Sequence, residues 1–153
     1  MGDILTTGTR LHGVLLEPRR QIFDDRGAVM HALRADWPQF ERFGETYVSL
    51  VKEGTVKAWK LHRIMTQHFV VPYGEIKLVI HDDRPDSPTR GGVQEIVTGI
   101  GHYGLVRLPP GLWYGFKGRG PGDSLIVNCA SHPHDPGEVE RRDEASFPVP
   151  VQW

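Results

Sequence analysis

Short runs of branched and aromatic residues, interrupted by glycine and proline, follow one another along most of the chain. Runs of this kind between turn-forming residues predict β-strands. Only residues 36–43 have the composition of a helical turn, with Asp36 as a candidate N-cap and Pro38 in the first turn. The predicted strands are His12–Glu17, Ala28–Arg34, Thr46–Val51, Thr55–His62, His68–Val71, Glu75–His81, Gln94–Thr98, Leu105–Leu108 and Ser124–Cys129.

So many short strands with almost no helix favour an all-β domain, either a closed barrel or a jelly-roll sandwich. The length of 153 residues predicts a single domain, 1–153. We expect residues 1–20 to form an N-terminal strand or arm. Residues 131–153, rich in proline and charge, are predicted to wrap the surface as a C-terminal tail. The apolar end of that tail, residues 147–153, is expected to dock on the barrel or on a second subunit.

The charge balance narrows the possible partners. A formal net charge of -1 gives no global field that would attract nucleic acid or an anionic membrane. The single cysteine, Cys129, excludes an internal disulfide and fits a reducing compartment. The N-terminus lacks the pattern of a signal peptide, and no apolar stretch approaches the ~20 residues of a membrane span. These features predict a soluble, cytoplasmic protein.

Residues 54–74 carry the frame of a metal-binding β-barrel motif, G-x5-H-x-H-x4-E-x6-G, with most of its ligands replaced. The frame's two histidines and its glutamate correspond to Lys60, His62 and Gln67, and the ligand histidine of its second half corresponds to Tyr114. A transition metal needs about three or more nitrogen, oxygen or sulfur donors. We therefore predict no metal and no cofactor, and a function that works through one histidine and organic side chains.

Those four positions suggest acid–base chemistry. Lys60 and His62 are two apart on a predicted strand and should share a face, as should Gln67 and Phe69 on the next strand. If Gly54 and Gly74 cap a hairpin, these side chains converge in one barrel mouth.

A neutral imidazole is a competent base near neutral pH, and a phenol such as Tyr114 can return a proton. A nearby ammonium can stabilise an enolate oxygen. The alternative is that His62 is a satisfied barrel histidine and Lys60 a solvated lip residue.

The chain resembles the dTDP-4-dehydrorhamnose 3,5-epimerase family of cupins over roughly residues 21–143. The likeness lies in F-D-D-R-G at 23–27, in the strand that ends at His62, in D-D-R-P-D-S-P-T at 82–89, and in L-P-P-G-L-W-Y-G-F at 108–116. The resemblance implies a cupin double-stranded β-helix (a jelly-roll barrel), His62 as the catalytic base, and Arg26 as a contact to the nucleotide diphosphate of a neighbouring subunit. A homodimer is therefore expected.

The chain also departs from the family. The family's catalytic-site lysine appears as Gln67 or is absent, and the strand that carries its general-acid tyrosine reads Ser124–Cys129 here, without tyrosine. Tyr114 is a candidate replacement acid. A base of this kind usually has a carboxylate that orients its ring, and Asp143 lies roughly where the family's partner would fall, with Asp135 as a competing choice. The alternative is that both are surface charges of the tail.

The candidate ligand contacts are cationic and aromatic. Arg26, Lys57 and Lys60 suit the oxygens of a diphosphate. Trp59 and Trp113 could stack on a base or sugar, although aromatic residues on barrel strands more often belong to the core.

The leading hypothesis is a metal-independent nucleotide-sugar epimerase or isomerase that acts beside a 4-keto group in surface-polysaccharide biosynthesis. In it His62 removes the α proton, and Lys60 or Gln67 polarises the carbonyl. The alternative is a non-catalytic cupin that binds a sugar or nucleotide sugar. A degenerate metal cupin with dioxygenase or isomerase activity is the third hypothesis.

Overall fold

The computed structural model describes residues 2–147 and 150–153, and strands dominate the described chain. The strands are β1 (Leu5–Gly8), β2 (Leu15–Pro18), β3 (Gln21–Asp24), β4 (Gly27–Met30), β5 (Glu45–Val51), β6 (Val56–His62), β7 (Gln67–Tyr73), β8 (Glu75–Asp82), β9 (Val93–Gly99), β10 (Gly104–Leu108), β11 (Leu112–Gly118), β12 (Ser124–Ala130) and β13 (Val139–Arg141). Two short 3-10 turns, Pro136–Glu138 and Glu144–Ser146, flank β13.

Two antiparallel sheets face each other and enclose the core. One has six strands in the order β1-β9-β8-β11-β6-β13, and the other has five in the order β2-β10-β7-β12-β5. Strands β3 and β4 form a separate hairpin. This arrangement confirms the predicted all-β, jelly-roll cupin fold. Within residues 2–147 and 150–153 no helix is long and apolar enough to cross a bilayer.

The core follows from the alternation of side chains along the strands. On β8, Ile76, Leu78 and Ile80 point inward at every second position and are almost completely buried. Phe69 and Val71 do the same from β7 in the facing sheet. One continuous apolar cluster therefore holds the two sheets together and positions the strand ends at which polar residues collect.

Strand β11 is the main element that the sequence pattern missed. It pairs with both β8 and β6, although its glycines and the preceding Pro109-Pro110-Gly111 indicate a turn. Gly115 has a packing reason, because a Cβ there would lie 2.5 Å from the Cβ of Ala58. The predicted helical turn at 36–43 forms hydrogen-bonded turns and no helix.

The predicted hairpin between β6 and β7 is wrong. Strand β6 pairs with β11 and β13, whereas β7 belongs to the facing sheet and pairs with β10 and β12. The inward side chains of the two strands still converge, because they project from opposite walls into the same interior.

The C-terminal tail lies along the outer face of β6. Strand β13 pairs with β6, and the Phe147 ring stacks on Trp59 with centroids 3.8 Å apart. Val151 and Trp153 pack against the same apolar cluster, which contains Trp59 and Trp113. Of the predicted docking segment, residues 148 and 149 lie outside the described residues. The tail therefore covers the strand that carries His62.

Replacement of Phe147 by alanine should lower the free energy of unfolding by about 2 kcal/mol, less than a fully buried phenylalanine would cost. The physical reason is the loss of the stacking contact with Trp59 and the exposure of that indole. Thermal or urea denaturation measures the effect. Phe43→Ala is the matched control, since the Phe43 side chain is 68% exposed, and equal losses in the two variants would contradict the tail's contribution.

Candidate active site

His62 ends strand β6 with its ring inside the sandwich and only 6% exposed. Its backbone is held from two sides, because its carbonyl accepts from the Gly111 amide at 2.7 Å and its position pairs with Val139 of β13. Lys60, two residues earlier, lines the same cavity as His62, as predicted from the strand period. The base candidate and the ammonium are thus neighbours on one wall.

The Nδ1 atom of His62 is hydrogen-bonded to the carboxylate of Glu138, which is also buried. The other carboxylate oxygen accepts from the backbone amides of Ile64 at 3.0 Å and Met65 at 3.3 Å. Burial by itself would raise the pKa of Glu138, but the hydrogen bonds from His62 and the two amides outweigh it and lower the pKa below its usual value. An ionised Glu138 holds the proton on Nδ1 and leaves Nε2 as the basic nitrogen.

The prediction of Asp143, or alternatively Asp135, as the partner of His62 is wrong, because Glu138 holds that place. Asp135 instead caps the first 3-10 turn and accepts from the Gly137 amide at 2.9 Å. Asp143 precedes the second 3-10 turn and borders the larger of the two cavities described below. No local pattern in the sequence identifies Glu138, because its contact with His62 depends on the pairing of β13 with β6, two segments far apart along the chain.

The Nε2 side of His62 faces a chain of polar side chains. The Tyr114 hydroxyl lies 3.2 Å from Nε2 and donates to Oε1 of Gln67 at 3.0 Å. The same Gln67 oxygen accepts from Asn128 at 3.4 Å, and Asn128 also donates to the Tyr47 hydroxyl at 2.9 Å. Burial raises the pKa of Tyr114, so this phenol stays protonated. The structure thus brings together His62, Tyr114 and Gln67, as predicted, and adds Asn128 and Tyr47.

Two cavities share Lys60 and Arg141 as a common wall. The smaller, about 340 Å³, is lined by Glu45, Tyr47, Lys60, His62, His134, Val139 and Arg141. The larger, about 550 Å³, is lined by Ser49, Lys57, Ala58, Trp59, Lys60, Tyr114, Phe116, Arg141, Arg142 and Asp143.

The larger cavity is cationic. A register shift between β6 and β11 at Tyr114/Phe116 lets Lys57 and Lys60, three residues apart, line the same space. Burial, followed by the charges of Arg141 and Lys57, lowers the pKa of Lys60. Like charges held this close favour an anionic ligand, whose binding would relieve their repulsion.

The remaining predicted contacts are the two tryptophans and Arg26. Trp113 is buried beneath the tail with the Arg142 guanidinium 4.4 Å from its ring, and Trp59 packs there as well, bordering the larger cavity. Arg26 lies at the tip of the β3–β4 hairpin, exposed and paired with Asp24 at 2.6 Å. It does not line either of the two cavities described above.

No protein-family model matches the chain. The chain is 35% identical over 140 residues to the probable low-salt glycan biosynthesis epimerase Agl13 of Haloferax volcanii. The match covers 90% of this chain and 88% of that protein. It is 44% identical to the dTDP sugar isomerase of Desulfovibrio desulfuricans G20, whose crystal structure superposes with a TM-score of 0.90 over 94% of this chain and 92% of that one.

A more distant structure has the same fold. The dTDP-4-dehydrorhamnose 3,5-epimerase of Sulfolobus tokodaii is 21% identical with a TM-score of 0.78, over 96% of this chain and 87% of that one. Identity above 30% along nearly the whole length of the Haloferax and Desulfovibrio proteins establishes common descent. The chain therefore belongs to the dTDP-4-dehydrorhamnose 3,5-epimerase-like family of cupins, a family of sugar epimerases and isomerases.

Proposed function

We propose that the protein epimerises or isomerises a nucleotide-diphosphate sugar next to a 4-keto group, without a metal ion, in surface-polysaccharide biosynthesis. The observation that carries the proposal is the buried His62–Glu138 pair at the wall of a cavity lined by cations. A histidine paired with a carboxylate is suited to proton abstraction, and a cationic cavity is suited to binding a diphosphate. The isomerase relative acts on a dTDP sugar, which favours thymidine as the nucleoside.

In the proposed reaction Nε2 of His62 removes the proton from the carbon beside the carbonyl. Glu138 stabilises the imidazolium that results and keeps the ring in one orientation. The negative charge moves to the carbonyl oxygen, where Lys60 stabilises the enolate. Gln67 is less suited to this task, since its side-chain oxygen accepts from Tyr114 and Asn128 inside the core.

The surroundings of Tyr114 favour a positioning role over proton donation to substrate. Its ring is buried, its hydroxyl contacts His62, and its proton is directed to Gln67. A tyrosine so placed fixes the imidazole from the side opposite Glu138.

Lys57, Arg141 and Arg142 are the proposed diphosphate contacts from within the chain. Arg26 of the partner subunit is proposed to complete them in a homodimer. In support, the hairpin that carries Arg26 exposes Phe23 and Val29, which are 52% and 62% accessible, as expected of an arm that packs on another subunit. The cytoplasmic location stays a prediction.

His62→Asn should abolish turnover, because the base is lost, with a fall of at least about 10²–10⁴-fold in rate. NMR of a panel of 4-keto nucleotide sugars in deuterium oxide measures deuterium entering the carbon beside the carbonyl. His12→Asn is the control, since His12 is exposed and its ring contacts neither cavity. Wild-type protein that binds the sugar without exchange would favour the non-catalytic alternative, and full turnover by His62→Asn would exclude the proposed base.

Glu138→Gln should reduce kcat by about 10²–10⁴-fold with little change in KM, because the amide no longer stabilises the charged imidazolium. Steady-state kinetics across pH measures the split. Glu140→Gln is the control, since Glu140 pairs with Arg63 on the surface, two residues away. Equal effects on kcat and KM in the two variants would contradict the role of Glu138.

Arg141→Ala should weaken binding of dTDP by roughly 10- to 100-fold, through loss of a charge-assisted contact to phosphate. Isothermal titration calorimetry at two salt concentrations measures it, and the wild-type affinity should fall as salt rises. The control is Arg119→Ala, whose guanidinium pairs with Glu75 away from both cavities. If the two variants bound dTDP equally well, the diphosphate would have to lie elsewhere.

A further inference from the structure

The smaller cavity is built from both sheets. His62 and Lys60 project from β6 of the six-stranded sheet, while Tyr47 projects from β5 of the five-stranded sheet. A ligand that fills the cavity would thus have the imidazole on one side and the Tyr47 phenol on the other. Inversion of a carbon centre requires a proton to leave from one face and another to arrive on the opposite face.

The hydrogen bonds around Tyr47 fix the direction of its proton. The side-chain oxygen of Asn128 accepts from the His68 amide at 3.1 Å, so its nitrogen is the atom that faces the Tyr47 hydroxyl. Tyr47 is therefore the acceptor in that contact. Among residues 2–147 and 150–153, no acceptor for the Tyr47 proton lies within hydrogen-bonding distance. The Tyr47 hydroxyl is therefore free to direct its proton into the cavity that its side chain lines.

The other three tyrosines do not share this combination. Tyr114 directs its proton to Gln67. Tyr103 is buried in a separate cluster with Val70, and Tyr73 is 60% exposed at the end of β7. Tyr47 is the tyrosine that both borders the His62 cavity and has a proton to donate.

We propose that Tyr47 is the general acid that returns a proton to the substrate carbon from the face opposite His62, an inference that rests on the proposed epimerase function. The C–H bond breaks as Nε2 of His62 takes the proton, and its electron pair forms the enolate beside Lys60. The enolate carbon then takes the proton of the Tyr47 hydroxyl, and a new C–H bond forms with inverted configuration. Solvent afterwards removes the proton from the imidazolium and returns one to the tyrosinate, so the enzyme is restored.

The electrostatics agree with this role. Burial raises the pKa of Tyr47, and the hydrogen bond from Asn128 opposes part of that shift. The phenol is thus protonated at neutral pH, while the donor contact from Asn128 stabilises the tyrosinate that forms after transfer.

The test separates the two proton transfers in deuterium oxide, with the 4-keto dTDP sugar on which the wild type is active. Tyr47→Phe should keep deuterium exchange within a few-fold of wild type, because His62 still removes and returns a proton on its own face. Formation of the inverted product should fall about 10²–10⁴-fold. Inversion at the wild-type rate would overturn the proposal. So would joint loss of exchange and inversion in a variant that melts and binds dTDP like the wild type.

Two further variants, one control and one competing donor, identify the acid. Tyr73→Phe removes an exposed phenol, and His134→Asn removes the other ionisable ring at the cavity. Tyr73→Phe should invert at the wild-type rate, and loss of inversion in His134→Asn in place of Tyr47→Phe would overturn the assignment. A wild type that neither exchanges nor inverts any 4-keto sugar would instead show that the proposed function itself fails.

A second variant keeps the hydroxyl and hence the fold. Site-specific 3-fluorotyrosine at position 47 lowers the pKa of the phenol. Because the acid must be protonated, the alkaline limb of the inversion rate should move to lower pH while the exchange rate keeps its profile. An unmoved limb would count against Tyr47 as the donor.

Discussion

The contact between His62 and Glu138 is the interaction on which the rest of the site depends. The two residues are 76 positions apart in the sequence, and both are buried. A buried carboxylate is tolerated only when its oxygens are satisfied, and here the imidazole and two backbone amides do so. Pairing of Val139 with His62 puts the preceding residue, Glu138, beside Nδ1 of the ring. The tail must therefore close on β6 before His62 has the environment of a base, and the tail is part of the site.

Strand β13 and the residue before it supply opposite charges to two places. Its first residue follows the carboxylate that holds His62, and its last, Arg141, pairs with Lys60 and lines both cavities. Alternation along β13 directs Val139 and Arg141 to the cavity and Glu140 to a surface pair with Arg63. The repulsion between Arg141 and Lys60 is a cost in the empty protein, and an anionic ligand removes it. Charge placement thus favours an anionic ligand in these cavities.

The sequence predicts the positions of most strands of the sandwich but little of how these strands pair and pack. Strands bounded by glycine and proline, such as Thr46–Val51 and Glu75–His81, agree with the structure to within one or two residues. The pattern fails for β11, since Gly115 reflects close packing on Ala58, and Gly118 close packing on the Lys52 carbonyl, and not a turn. It also fails for β13, because three residues in a polar tail have no readable period. Glu138 and Tyr47 could not be assigned to the cavity, as their places depend on pairings 70 or more residues away along the chain.

One hydrogen-bonded chain crosses from one sheet to the other. Its members are His62, Tyr114, Gln67, Asn128 and Tyr47. The fixed amide of Asn128 directs its nitrogen to Gln67, so the Gln67 oxygen is an acceptor and Tyr114 donates to it. The Tyr114 oxygen then presents a lone pair to Nε2, which suits an imidazolium that carries a proton there better than a neutral ring. Since only interactions that strengthen during a reaction accelerate it, Glu138 and Tyr114 would, in the proposed reaction, stabilise His62 most in the state that follows proton abstraction.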